Sequence, residues 1–449
     1  MRHLPREART RVIVLTDMTS RETGVREPDD AQSLVRFLLY TNVFEVEGLY
    51  ATSGLGHGHV TRPEILREIV DAYAQVRPML TRHDPAFPPA DALQRVIRAG
   101  QPVAGRDVPV TESVGDGKDT DASRGILEAA DRPDARPLWL LFWGGTADLA
   151  QALWRARRDR SAAELKRLIS RLRVHAIHDQ DTTAAWLRAE FPDLYWIQRT
   201  NGNRGIYRGG DTSLVSPDWV EENVRRGHGP LGALYPNYAG GDIWSRRLGP
   251  VRGIKEGDTP SFLALLPNNL AFGPDGYDPA LGSWGGRFLP EEEAPHRFLE
   301  TGDPDVAGSE QDPHPDMGAV YRWRPAFQND FAARMDWCVL SPKEAKHAPT
   351  ARLAGPVERL LRPGETVVLD ASPSTDPDGD RLRFSWSLYP PQKGDGPSNE
   401  IRIAGEGPTA RFVAPAVTEP RRFCVLLTVT GGNALPLSSY ARVFLRVRP

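Results

Sequence analysis

Three carboxylates near the start of the chain have the type and spacing for metal chemistry. Asp17 ends the apolar, β-branched run RVIVLTD, and Asp29 and Asp30 open the segment DDAQSLVRFLLY after eleven intervening residues. Acids brought to one point repel one another unless a cation or protons neutralise them. An oxygen-only ligand set suits Ca²⁺ or Mg²⁺, and Ca²⁺ accepts bidentate carboxylates in a flexible shell. A plainer reading is also open: Asp29 caps a helix and complements its dipole while Asp30 is solvated.

Other polar residues also follow apolar runs. His57 and His59 lie in GLGHGHV, where they could serve as ligands, acids or ordinary loop residues. Asp179 and Asp181 in HDQD could bind sugar hydroxyls or donate a proton, or Asp181 could cap the helix behind it. Trp244, Trp284, Tyr235 and Tyr238 sit in Gly-rich stretches. They could stack on sugar faces or pack loops onto the scaffold. The clustered acids of STDPDGD (374–380) read as an Asx turn more readily than as a calcium loop.

The elements that must position these residues alternate. Strands are expected over 11–17, 44–53, 137–143, 172–177 and 194–197, and helices over 27–40, 63–77, 147–158, 183–190 and 325–339. This succession predicts an α/β fold, a mostly parallel open sheet with helices on both faces. In such sheets ligands bind beyond the carboxyl ends of the strands, where Asp17, His57 and Asp179 fall. The stretch 267–324 reads as a long covering loop. After residue 340 the pattern changes to short strands between turns. The expected domains are an α/β domain over 1–340, a linker over 341–350 and a β-sandwich over 351–449.

Composition limits the partners. With 56 basic and 59 acidic residues the net charge is −3, which disfavours a general electrostatic nucleic-acid binder. No apolar run reaches the roughly 18 residues that a membrane helix needs. The basic start MRHLPREARTRV lacks the apolar core of a signal peptide. The expected location is therefore cytoplasmic, or exported if a leader has been removed. Two cysteines, Cys338 and Cys424, cannot build a disulfide framework and read as reduced thiols. Homo-oligomerisation stays open.

The opening RVIVLTD…EPDDAQSLVRFLLYTNVFEVEGLYATS resembles that of the nucleoside hydrolase superfamily. More closely, EPDDAQSLVRFLLYTN, PLWLLFWGGTADLAQAL, HAIHDQDTTAAWLRAEFPDLYWI, EGDTPSFLALLPNNL, GSWGGRF and FQNDFAARMDWC resemble a bacterial nucleoside-hydrolase-like family described as cellulose-binding proteins. That similarity runs from about residue 11 to 340. It is joined by a C-terminal domain similar to immunoglobulin-like, cadherin and polycystic-kidney-disease-like modules.

The resemblance implies one Ca²⁺ ion held by Asp17, Asp30, the carbonyl of Trp143 and Asp258. It makes Asp17 the base toward a metal-bound water, and gives Asp29 the sugar hydroxyls and a part in catalysis. His57, Asp179, Asp181 and Trp284 complete the expected substrate-binding set. Two departures stand out. The loop between Asp17 and Asp29 is longer than in nucleoside hydrolases, and Gly257 occupies the place of the His that precedes their last calcium Asp. The implied function is a calcium-dependent glycosidase acting on an N- or O-glycosidic bond. The alternative is a non-catalytic binder of cellulose-like polysaccharide on the same scaffold.

Overall fold

The computed structural model describes residues 4–21, 28–55, 59–241, 249–274, 276–303, 305–306, 314–389, 401–405 and 407–449. The expected site residue His57 lies outside them, as does Trp244.

The run RVIVLT becomes strand β1 (Thr10–Thr16), buried along nearly its whole length. Successive side chains of a strand point to opposite faces. Val12 and Val14 accordingly enter one apolar core, and Ile13 and Leu15 enter another. A strand buried on both sides belongs in the middle of a sheet covered by helices. β1 lies between β2 (Phe44–Ala51) and β4 (Leu138–Phe142), parallel to both. β3 (Ile97–Ala99), β5 (Leu172–Ile177) and β6 (Tyr195–Arg199) extend the sheet in the order β3-β2-β1-β4-β5-β6.

Helix α1 (Asp29–Leu38) and helix α2 (Pro63–His83) cover one face together with the helix Arg324–Asp336. The helices Asp121–Asp131, Ala147–Asp159 and Ala162–Arg171 cover the other. Each fully buried Leu, Ile or Phe in these layers stabilises the fold by about 1.5–3 kcal/mol.

The stretch 267–324 is not the expected covering loop. It holds a two-stranded ribbon, β7 (Phe272–Gly273) and β8 (Gly276–Tyr277), and two further members of the main sheet. β10 (Arg297–Thr301) pairs parallel with β6, and β9 (Arg287–Pro290) pairs antiparallel with β10. Polar residues and flanking prolines conceal them in the sequence: β9 is the edge strand and pairs on one side only, and β10, between β9 and β6, is only partly buried and carries Arg297, Glu300 and Thr301.

The C-terminal part is all β. β11 (Glu358–Leu361), β16 (Ser438–Val447), β15 (Arg421–Gly431) and β13 (Leu382–Leu388) form one sheet. β12 (Thr366–Asp370) and β14 (Thr409–Val413) form a second. Val367, Leu369, Phe412, Val425 and Val443 fill the core between them.

This domain packs on the first one. Trp284 Nε1 donates to Tyr440 Oη at 3.1 Å, and Arg442 donates to the Leu270 and Leu281 carbonyls at 2.7 Å each. The linker 341–350 is itself held. Trp337 Nε1 donates to the Lys346 carbonyl at 2.9 Å, and His347 stands 2.8 Å from Asp378 and 2.9 Å from His83. Both cysteines are free thiols. No helix among the described residues is long and apolar enough to cross a membrane.

Candidate functional site

The strand order reverses between β1 and β4, and an open α/β sheet has its crevice at such a reversal. Asp17 follows the end of β1 and Trp143 the end of β4. The N-terminus of α1, with Asp29 and Asp30 in its first turn, closes the third side. A cavity of about 550 Å³ opens there, lined by Asp17, Asp29, Asp30, Trp143, Asn203 and Asp258 among others.

Small residues make room for Asp17. A Cβ added at Gly54 would lie 2.4 Å from Asp17 Oδ2, and one at Gly144 would lie 2.7 Å from Asp17 Cβ. The glycines after β2 and β4 therefore let two backbones close onto one carboxylate.

The second turn of α1 fixes Asp258. Gln32 Nε2 donates to the carbonyls of Pro236 and Gly253 at 2.7 and 2.8 Å, and Gln32 Oε1 accepts from Lys255 N at 2.6 Å. Thr259 Oγ1 lies 3.1 Å from Ser33 Oγ, and Ser261 Oγ donates to the Asp258 carbonyl at 2.6 Å. Trp143 Nε1 in turn donates to Ser261 Oγ at 2.8 Å. The residues that follow Asp29-Asp30 in sequence thus clamp the segment that carries the fourth acid.

Asp29, Asp30 and Asp258 each offer a carboxylate oxygen, and these three oxygens lie within 4.8 Å of one another. A compact oxygen-only set of this kind fits a hard divalent cation. Asp17 lines the same cavity but is outside the compact set, whereas Asp29, expected to hold sugar, is inside it. Thr16 Oγ1 donates to Asp30 Oδ1 and orients it. The Trp143 carbonyl accepts from Gln180 Nε2.

Three expected site residues stand elsewhere. Asp181 is buried and caps a neighbouring helix. It accepts from Thr146 N at 2.8 Å, Ala147 N at 3.2 Å and Thr183 N at 3.0 Å. Burial raises its pKa above the ordinary carboxylate value. Asp179 turns into an adjoining groove and pairs with Arg188 at 2.6 Å. Trp284 is buried against Tyr440 at the domain junction, so its face is not offered to a sugar. Tyr235 and Tyr238 are likewise buried.

Other residues come to the cavity without having been singled out. Asn203 is buried with its Oδ1 unbonded, and Arg204 and Tyr207 accompany it on the short 3₁₀ segment after β6 and at its end. Their signal was the Asn/Gly run NGNRG at a strand end. Arg106 and His178 also line the wall. Burial and the nearby Arg204 charge lower the His178 pKa to about 4, which keeps that ring neutral. His59 lines the cavity as well, and so does Gly257, where a Cβ would lie 3.2 Å from Asp29 Oδ2.

The acids of 374–380 form a turn with partners of its own. Asp376 Oδ1 accepts from Asp378 N at 2.9 Å and Asp380 N at 3.1 Å, Asp378 pairs with His347, and Asp380 pairs with Lys346 at 2.9 Å.

A doubly covered sheet with a crevice of acids at its reversal defines a nucleoside hydrolase-like protein. The family model described as cellulose-binding Sde182, nucleoside hydrolase-like domain, matches residues 11–288. The model described as cellulose-binding protein Sde0182, C-terminal domain, matches residues 366–447. The chain belongs to this family.

Among solved structures, a nucleoside hydrolase-related hypothetical protein from Saccharophagus degradans, associated with carbohydrate metabolism, is 31% identical to it. The likeness covers 98% of this chain and 100% of that one, with a TM-score of 0.77. The PKD domain from KIAA 1837 protein is 20% identical over 22% of this chain and 89% of that one, with a TM-score of 0.16. No curated protein matches the chain.

Proposed function

We propose that the chain is a calcium-dependent glycosidase-type hydrolase that cleaves an N- or O-glycosidic bond of a sugar-containing substrate. The observation that carries this reading is the clustering of Asp29, Asp30 and Asp258 in one cavity with Asp17. Asp30, Asp258 and the Trp143 carbonyl would hold the ion, with Asp29 or Asp17 completing the set. The ion would supply a fixed positive charge that offsets the carboxylates and makes a nearby water more acidic.

The protein's own groups supply the rest. Asp17, set deep against Gly54 and Gly144, takes the proton of the attacking water. Asp29 and the side-chain amide oxygen of Asn203 accept hydrogen bonds from sugar hydroxyls and fix the ring. As the glycosidic bond breaks, positive charge grows on the sugar, and the surrounding carboxylates stabilise it. His178, held neutral, does not supply a charged acid near neutral pH.

Gly257 favours a second reading. Without a His before Asp258, a conventional nucleoside pocket lacks its leaving-group assistant. A non-catalytic carbohydrate binder would not need one, and the family's description as cellulose-binding agrees with that.

A panel of aryl glycosides, cello-oligosaccharides and nucleosides, assayed with added Ca²⁺ and with chelator, separates the two. Calcium-dependent product release that is lost in Asp17→Ala supports the enzyme. Retention of glycan binding with no release across the panel supports the binder.

A further inference from the structure

A second cleft, of about 500 Å³, opens at the junction of the two domains and shares no lining residue with the acidic cavity. Its floor is one face of the C-terminal sheet. On β15 and β16 the register pairs Leu426 with Arg442, Cys424 with Phe444, and Arg422 with Arg446. Alternation puts these six side chains on the same face. The first domain covers the Leu426–Arg442 end, while Arg422 and Arg446 at the other end are exposed. The β7–β8 ribbon forms the opposite wall, with Tyr277 and Asp278.

The described lining of this cleft is rich in cations. Among the described residues, five arginines line it, at positions 359, 422, 442, 446 and 448, against the two carboxylates of Asp278 and Glu358. Arg442 is only 3% exposed, and its acceptors are the neutral carbonyls of Leu270, Leu281 and Gly282 and the sulfur of Cys424. Arg446 and Arg448 have no ion-pair partner among the described residues and stand open at the rim. Between these cations lie apolar surfaces, Phe444 and Leu360, the latter 62% exposed. A cation-rich cleft with apolar patches complements a ligand that has flat apolar faces and regularly placed anionic groups.

We propose that this junction cleft binds an oligosaccharide bearing carboxylate groups, with sugar faces on Phe444 and Leu360 and carboxylates on the guanidinium forks of Arg446 and Arg448. The choice of a sugar rests on the carbohydrate reading of the chain; the choice of an anion rests on the arginines alone. Arg442 adds field from below without contacting the ligand.

The test is calorimetric titration of the full chain with an oligogalacturonate, its methyl ester, a cello-oligosaccharide of equal length and a polyglutamate peptide. The expected result is binding of the oligogalacturonate alone, weakened by added salt and reduced about tenfold or more by the double variant Arg446→Ala, Arg448→Ala. Both residues are exposed, so the fold should survive, and the melting temperature checks this. Asp30→Asn should leave this binding unchanged, which separates it from the acidic cavity. Equal binding of the methyl ester or the neutral chain, equal or tighter binding of polyglutamate, or unchanged affinity in the double variant would overturn the proposal.

Discussion

Arg36 and Glu256 meet at 2.8 Å with neither side chain exposed to solvent. The pair fastens the helix that presents Asp29 and Asp30 to the segment that presents Asp258. Tyr235 Oη also donates to Glu256, and Arg36 lies 3.9 Å from the centre of the Phe331 ring. Removing one partner leaves the other charge buried, which costs about 3–5 kcal/mol. Arg36→Met should therefore lower stability by about that amount in urea denaturation. The double variant Arg36→Met, Glu256→Leu should recover part of the loss. Equal losses in the single and double variants would show that the pair does not act as a unit.

Gly54 should be intolerant of even one methyl group. The added Cβ would face Asp17 Oδ2 at 2.4 Å, with Gly145 N at 3.0 Å leaving the backbone no retreat. Overpacking of this kind costs about 1–3 kcal/mol, so Gly54→Ala should still fold but displace Asp17. Its turnover should fall as far as that of Asp17→Ala while its circular dichroism spectrum stays that of the parent. Full activity in Gly54→Ala would separate Asp17 from the chemistry.

The loop that carries Asn203 should respond to alkaline pH. Glu300 accepts from Thr200 N at 2.9 Å, Thr200 Oγ1 at 2.6 Å and Gly202 N at 3.0 Å, and so holds the loop after β6. Burial and the Glu300 charge push the pKa of the neighbouring Asp316 up to about 8. A raised carboxyl pKa contributes stability that is fully present below its ordinary value and is lost as pH rises through the raised one. Ligand affinity at the acidic cavity should therefore decline as pH passes about 8. Asp316→Asn should flatten that decline, as read by binding titrations across the range. An unchanged profile in Asp316→Asn would place the titrating group elsewhere.

Much of the frame was legible because it rests on local pattern. The doubly buried strand before Asp17 and the Asp-Asp that opens α1 are both visible in the linear order, and so is the change to short strands after residue 340. For Asp181 and Trp284 the sequence left a structural and a binding role both open, because their surroundings come from distant segments. The partner that uses up the Asp181 carboxylate, Thr146, lies on another turn 35 residues away, and Trp284 meets Tyr440 across 156. A capping acid and a substrate-binding acid look identical until the donors around them are known. β9 and β10 were missed for a related reason: β9 is a short edge strand ending in Pro290, and β10 is partly buried and half polar, so both read as loop.

The central claim is that the acids at the end of β1, the start of α1 and Asp258 hold a divalent cation. Its most direct test is calorimetric titration of Ca²⁺ into the metal-stripped full chain, beside Asp258→Asn and Asp30→Asn. The predicted result is one ion bound per chain in the parent, with affinity reduced at least about tenfold in each variant and the melting temperature of the parent rising with Ca²⁺. No binding in the parent, or parent-like binding in both variants, would contradict it.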